Sequence, residues 1–255
     1  MSLSGKRLLV VSAHAVDFVW RAGGTIAKYV KGGSTVKIID LSMGARGESE
    51  HLWKDKSISE EKVKSIRKAE AQAAAGVLGA EIDFYDLPDH FLVLTKEQIY
   101  RLAADMMDFQ PDIILTHSEK DYYNPDHDNA HAAVLAAARS ANVSGVRPDK
   151  TPTRQCDIYM FEPDITEQCH FFPEIYIDIT DVFDIKVKAM AMIPAQKFMA
   201  ENYAHRSRQR GIFANRFRKD VEYAETFQRL CPFVGLSFDE SLNAAMKYVD
   251  MTKNM

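Results

Sequence analysis

Arg7-Leu8-Leu9-Val10-Val11-Ser12 decides the fold class. A short, uninterrupted apolar run is what a strand buried on both faces needs, and such strands belong to parallel sheets covered by helices. Working outward, the pattern recurs at Thr35–Leu41 (TVKIIDL), Glu81–Leu87 and Asp112–Thr116 (DIILT), read as the second, third and fourth strands. Helical stretches separate them. Gly23-Gly24-Thr25 is expected to open one that runs to about Lys31 and closes at Gly32-Gly33. Ser57 and Glu60 have capping-box spacing ahead of Val63, Ile66, Ala69, Ala73 and Val77, and Gly79 ends that helix. Thr95 with Gln98 caps another to about Asp108, and a further helix is expected from roughly His127 to Arg139. Strands alternating with helices imply right-handed βαβ units, hence an α/β chain with a mostly parallel sheet flanked by helices.

A polar, proline-containing loop is expected from about Ser140 to Arg154. Beyond it, Asp157–Phe161 and Ile175–Ile179 read as further strands, and the chain from Asp181 onward reads as largely helical. No repeat, low-complexity tract or linker interrupts residues 1–255, so a single domain is expected.

The 255 residues are 46% hydrophobic and 27% charged, enough apolar material for a sizeable core. A formal net charge of −4 argues against a nucleic-acid partner, while local arginines can still receive a small acidic substrate. Cys156, Cys169 and Cys231 form no C-x-x-C pair, so neither a disulfide framework nor a cysteine zinc site is expected. No secretory signal is expected ahead of the first strand, and no apolar run approaches about 18 residues. A cytoplasmic protein without membrane partners, assembling as a homo-oligomer, is expected.

In an open parallel sheet, ligands bind beyond the carboxyl ends of the strands. His14 and Asp17 follow the first strand, and His127 lies in the loop expected after the fourth. Those two strands are central neighbours in such sheets, so the three side chains should converge. Two imidazoles and a carboxylate suit Zn2+ and leave a position open for water or substrate; Fe2+ or Mn2+ would also fit. A dinucleotide site is not expected, because no G-x-G-x-x-G follows the first strand.

These residues sit in recognisable motifs. Ala13-His14-Ala15-Val16-Asp17-Phe18 corresponds to Ala-His-Pro-Asp-Asp-Glu, and Asn124-Pro125-Asp126-His127 to His-Pro-Asp-His. With Gly23-Gly24-Thr25, Arg67-x-x-Glu70, Leu78-Gly79 and Tyr223-Ala224-Glu225-x-Phe227, the sequence resembles the LmbE-like (PIG-L) family of zinc-dependent N-acetylglucosaminyl deacetylases. The resemblance implies a Rossmann-like LmbE fold and assigns His14, Asp17 and His127 to the metal.

Two departures change the expected chemistry. Val16 stands where the deacetylases carry their general base, and Asn124 where they carry the first histidine of the second motif. Removing a general base costs about 10²–10⁴-fold in rate. The stretches Ser12–Gly24, Arg46-Gly-Glu-Ser49, Phe161-Glu-Pro163, Glu167-Gln-Cys169 and Gln209-Arg-Gly211 are similar to the branch of 4-oxalomesaconate hydratases. That likeness implies addition of water to an unsaturated oxo-tricarboxylate; the alternative is a deacetylase with a substitute base.

On this reading Glu48 handles the proton, Asp126 supports the catalytic group by orienting a neighbour, and Asp164 is a candidate acid. Arg21, Arg46, Asn124 and Arg208 are candidate substrate-binding residues, with Arg206 and Arg210 beside the last. His117 and Asp121 are expected to line the pocket and His131 to stand behind the ligands. His51, His90, His170 and His205 are expected to be structural.

Overall fold

A computed structural model of the chain, describing residues 3–154 and 156–232, gives the following elements. In chain order they are β1 (Arg7–His14), α1 (Asp17–Lys31), β2 (Thr35–Ser42), α2 (Glu60–Leu78), β3 (Glu81–Leu87), α3 (Lys96–Phe109), β4 (Ile113–Thr116) and α4 (Pro125–Ala141). Then come β5 (Asp157–Phe161), β6 (Ile175–Asp178), α5 (Phe183–Met190), α6 (Met199–Ala214) and β7 (Ala224–Arg229), with short 3-10 turns such as Pro194–Gln196 between. The strands form one sheet of order β3-β2-β1-β4-β5-β7-β6. The first five in that order are parallel, and β7 runs antiparallel to both β5 and β6.

The continuous apolar run of β1 follows from its central place. Leu8 and Val10 pack with Phe18, Val19 and Ile26 of α1 and Ala71, Ala74 and Leu78 of α2 on one face. Leu9, Val11 and Ala13 pack with Leu102 and Met106 of α3 and Ala130 and Val134 of α4 on the other. With both faces covered, alternation has no role, which is why the pattern reads as unbroken. No helix among the described residues is long and apolar enough to cross a membrane.

Several expected boundaries hold. Gly79 caps α2 in the left-handed conformation, Thr95 and Gln98 form a reciprocal capping box on α3, and β3 and β5 have the expected ends. Others are corrected. Ser57 hydrogen-bonds Asp55, and Ser59 is the cap of α2, its side chain accepting from the Lys62 N–H. Helix α4 starts at Pro125, a residue suited to a first helical turn, so His127 lies in that turn and not in a loop.

Gly23-Gly24-Thr25 lies inside α1, which already begins at Asp17. Here a carboxylate from β7 enters the helix. The Gly24 and Thr25 N–H groups donate to Glu225 at 2.9 and 2.7 Å, while Lys186 Nζ binds the Trp20 carbonyl at 3.0 Å and Glu225 at 2.6 Å. Gly24 is required by this packing, because a Cβ there would lie 2.6 Å from Ile179 Cδ1. Strand β7 itself falls where helix was expected, because its buried face is polar: Glu225 and Thr226 are engaged by Lys186 and Glu162. The expectation for residues 233–255 lies outside the described residues.

Candidate active site and metal centre

The site is built at the carboxyl edge of β1, β2 and β4. His14 ends β1, and Asp17 starts α1 with its Oδ2 accepting the His14 N–H at 3.0 Å. Val16 between them is left-handed (φ 78°) and buried. A β-branched residue held there costs about 1–3 kcal/mol, so the surroundings must impose the turn. Fully buried Arg67 of α2 does so: it donates to the Ala15 carbonyl at 2.8 Å and pairs with Glu70 at 2.9 Å.

His14, Asp17 and His127 each offer a ligand atom within 4.8 Å of the others. Asp17 Oδ2 lies 3.2 Å from His14 Nδ1 and 3.5 Å from His127 Nε2. The remaining imidazole nitrogens are held from outside: His14 Nε2 by Asp126 Oδ2 at 3.1 Å and His127 Nδ1 by Asp121 Oδ2 at 2.9 Å. Carboxylates behind histidines fix the tautomer so that the inner nitrogen is free to ligate. His127 Nε2 is buried with no hydrogen-bond partner among the described residues. An orphaned lone pair facing an imidazole and a carboxylate is what a divalent cation would satisfy, and the donor set fits one.

The neighbouring groups pack around this cluster. Asp126 also accepts from the His90 and Leu92 N–H groups at 2.8 and 2.7 Å. Burial works against its charge, but those bonds and His14 outweigh it and hold the carboxyl at about 2. His117 stacks on His127 with centroids 4.0 Å apart, and its Nε2 accepts the Ala13 N–H at 2.9 Å. Burial, helped by His127, lowers its pKa to about 3, so it is a neutral wall of the cluster. His131 stands one layer farther out, on the His117 carbonyl at 2.9 Å.

Glu48, on the loop after β2, reaches the same centre. Its Oε1 lies 3.9 Å from His14 Nδ1 and 2.6 Å from Asn124 Nδ2, and its Oε2 accepts from Gln196 Nε2 at 2.9 Å. Arg21 of α1 lies behind the ligands, 3.8 Å from Asp121 and 3.5 Å from Asp164, with its NH1 on the Glu162 carbonyl at 2.7 Å. Burial opposes its charge, but Tyr203 and the carboxylates of Asp164, Asp17 and Asp121 hold its pKa above the usual value. Arg21 in turn, against the cost of burial, lowers the pKa of Asp164, which also accepts from the Tyr203 hydroxyl at 2.7 Å. Arg21 and Tyr203 thus favour the ionised form of Asp164, the residue expected as a candidate acid.

Arg46 and Arg208 lie in half-exposed ion pairs with Glu60 and Glu222. Arg206 holds the Pro163 and Asp164 carbonyls, and Arg210 holds Glu162, so both brace the turn after β5. Sequence reasoning missed Gln196. It sits in a 3-10 turn, 148 positions from Glu48, in no motif that marks a function.

Residues 9–138 match the PIG-L family, described as GlcNAc-PI de-N-acetylase. The chain belongs to this family. Among its PIG-L relatives is the 4-oxalmesaconate hydratase of Pseudomonas putida, 39% identical over 92% of this chain and 93% of that protein. The crystal structure of GalB, the 4-carboxy-2-hydroxymuconate hydratase of the same organism, superposes with a TM-score of 0.88 at 39% identity, covering 91% of this chain and 99% of that one. The N,N'-diacetylchitobiose deacetylase of Pyrococcus horikoshii shares the fold at a TM-score of 0.73 and 22% identity, over 88% of this chain and 84% of its own.

Proposed function

We propose that this PIG-L member is a metal-dependent hydro-lyase that adds water to the carbon–carbon double bond of an oxo-tricarboxylate of the 4-oxalomesaconate type. The names of the two hydratases it resembles describe one carbon skeleton, since 4-carboxy-2-hydroxymuconate is the enol form of 4-oxalomesaconate. The observation that carries the proposal is the exchange of bases: Val16 is a buried apolar residue where the deacetylase base would stand, and Glu48 reaches the ligand cluster from another loop.

His14, Asp17 and His127 would hold the ion, Zn2+ in the first instance. Bound there, a divalent cation supplies Lewis acidity toward a 2-oxo-carboxylate. Glu48 Oε1 takes a proton from the attacking water as the hydroxyl joins one alkene carbon; a solvent proton adds to the adjacent carbon, and Glu48 gives its own proton back to solvent. Asn124 steadies that carboxylate and borders the substrate. Asp126 and Asp121 orient the two histidines. Arg21 is a buried positive charge beside the cluster, whereas Arg46 and Arg208 would have to exchange Glu60 and Glu222 for substrate.

A cytoplasmic homo-oligomer is part of the proposal, its assembly supported by the exposed rings of Phe91, Tyr122, Tyr123 and Phe172. The test is an ultraviolet assay of zinc-loaded protein with 4-oxalomesaconate beside N-acetylglucosamine derivatives. Loss of the unsaturated chromophore without acetate release is expected. Acetate release with no hydration would reverse the assignment.

A further inference from the structure

We infer that Gln196 is the positioning residue that fixes Glu48 for proton transfer, an inference that rests on Glu48 being the base. Gln196 is buried and makes three side-chain contacts of unequal character. Its Oε1 accepts from Arg67 NH2 at 2.9 Å and from Trp20 Nε1 at 3.3 Å, and its Nε2 donates to Glu48 Oε2 at 2.9 Å. Guanidinium and indole nitrogens only donate. The amide oxygen must therefore face Arg67 and Trp20, and only N–H can face Glu48. The rotamer is decided by its neighbours, and it presents Glu48 with a donor that an ionised carboxylate accepts.

The backbone around Gln196 is fixed by the same pair. Glu70 Oε1 accepts the Ala195 N–H at 2.8 Å, and Glu70 is the partner of Arg67. Arg67 thus ties Gln196 to the Ala15 carbonyl in the turn between His14 and Asp17. Base and ligands share one buried anchor, which sets their separation independently of substrate. With Oε2 held by Gln196, Oε1 is the oxygen left on the His14 side, 3.9 Å from Nδ1, and Asn124 limits its swing. Misplacement of a reacting group by about 1 Å can cost about 10²-fold in rate.

A double-mutant cycle between Gln196→Met and Glu48→Gln, read as kcat and KM on 4-oxalomesaconate with metal content measured in parallel, tests the inference. Gln196→Met alone should lower kcat by about 10–100-fold, with little change in KM or bound zinc. In the Glu48→Gln background the same substitution should change kcat by less than about threefold, because its effect passes through Glu48. Equal factors in the two backgrounds would show a general structural role and overturn the inference while leaving Glu48 as base. Full activity of Glu48→Gln would overturn both. If Gln196→Met does not fold, Gln196→Glu completes the cycle: it keeps an acceptor for Arg67 and Trp20 and turns a carboxylate, in place of the amide donor, toward Glu48.

Discussion

Asn124 Nδ2 lies 2.6 Å from Glu48 Oε1, so the residue preceding α4 and the loop after β2 meet at the carboxylate proposed as base. The two departures from the deacetylase motif are thereby connected. A histidine at position 124 would compete for the proton that Glu48 is to receive, whereas an amide donates without titrating. Val16 leaves no carboxylate at the deacetylase position to compete with it either.

Glu48→Gln keeps size and hydrogen-bonding capacity while removing the base. Its kcat should fall by about 10²–10⁴-fold, with KM and metal content little changed. Steady-state kinetics beside elemental analysis decide it. A variant keeping more than about a tenth of kcat would take the base role from Glu48.

The metal assignment predicts one divalent ion per chain, lost in His14→Ala and in His127→Ala. Elemental analysis of the three proteins checks this directly. Full occupancy in both variants would require other ligands, as would an anomalous peak more than about 3 Å from all three side chains, since zinc bonds are about 2.0–2.2 Å.

The unmodified protein should release acetate from N-acetylated sugars far below ordinary enzyme rates of about 1–10³ per second. Val16→Asp should raise any trace activity, because it returns a carboxylate to the turn between His14 and Asp17. Robust acetate release by the unmodified chain would mean that a base other than the one at position 16 serves amide hydrolysis here.

Helix α6 crosses the chain leading into β7 so closely that a Cβ on Gly211 would sit 2.0 Å from the Glu222 carbonyl oxygen and 2.6 Å from the Tyr223 nitrogen. Backbone cannot retreat as a side chain can. Gly211→Ala should therefore destabilise the fold by about 3 kcal/mol or more, seen as a lower urea midpoint. A midpoint unchanged from the parent would contradict this packing.

The parallel part of the sheet was legible because its strands are buried on both faces and its helices carry conventional punctuation, as at Thr95, Gln98 and Gly79. The start of α1 was not, since its cap is Val16, whose side chain makes no capping bond, and the turn is imposed by Arg67 from another helix. Strand β7 was hidden for a related reason: Glu225 and Thr226 look like surface residues until Lys186 and Glu162 are brought against them. The cluster of His14, Asp17 and His127, proposed as the ligand set, was legible from strand ends and family motifs. Asp121 was expected only to line the pocket, and Gln196 had no mark at all, because each acts through a contact that exists only after folding.

The carboxylate of Glu225 inside α1 bears on how the protein is made. Helix α1 precedes β7 in synthesis, yet its Gly24 and Thr25 N–H groups are satisfied by Glu225 of that strand, 201 and 200 positions on, and its Trp20 carbonyl by Lys186. A nascent chain that has already delivered His14, Asp17 and His127 still lacks that strand. Segments folding in order of emergence would leave this helix unfinished at its midpoint. Mature metal affinity should thus arrive late, when Glu225 has cleared the ribosome, and chains stalled short of it should hold the ion weakly.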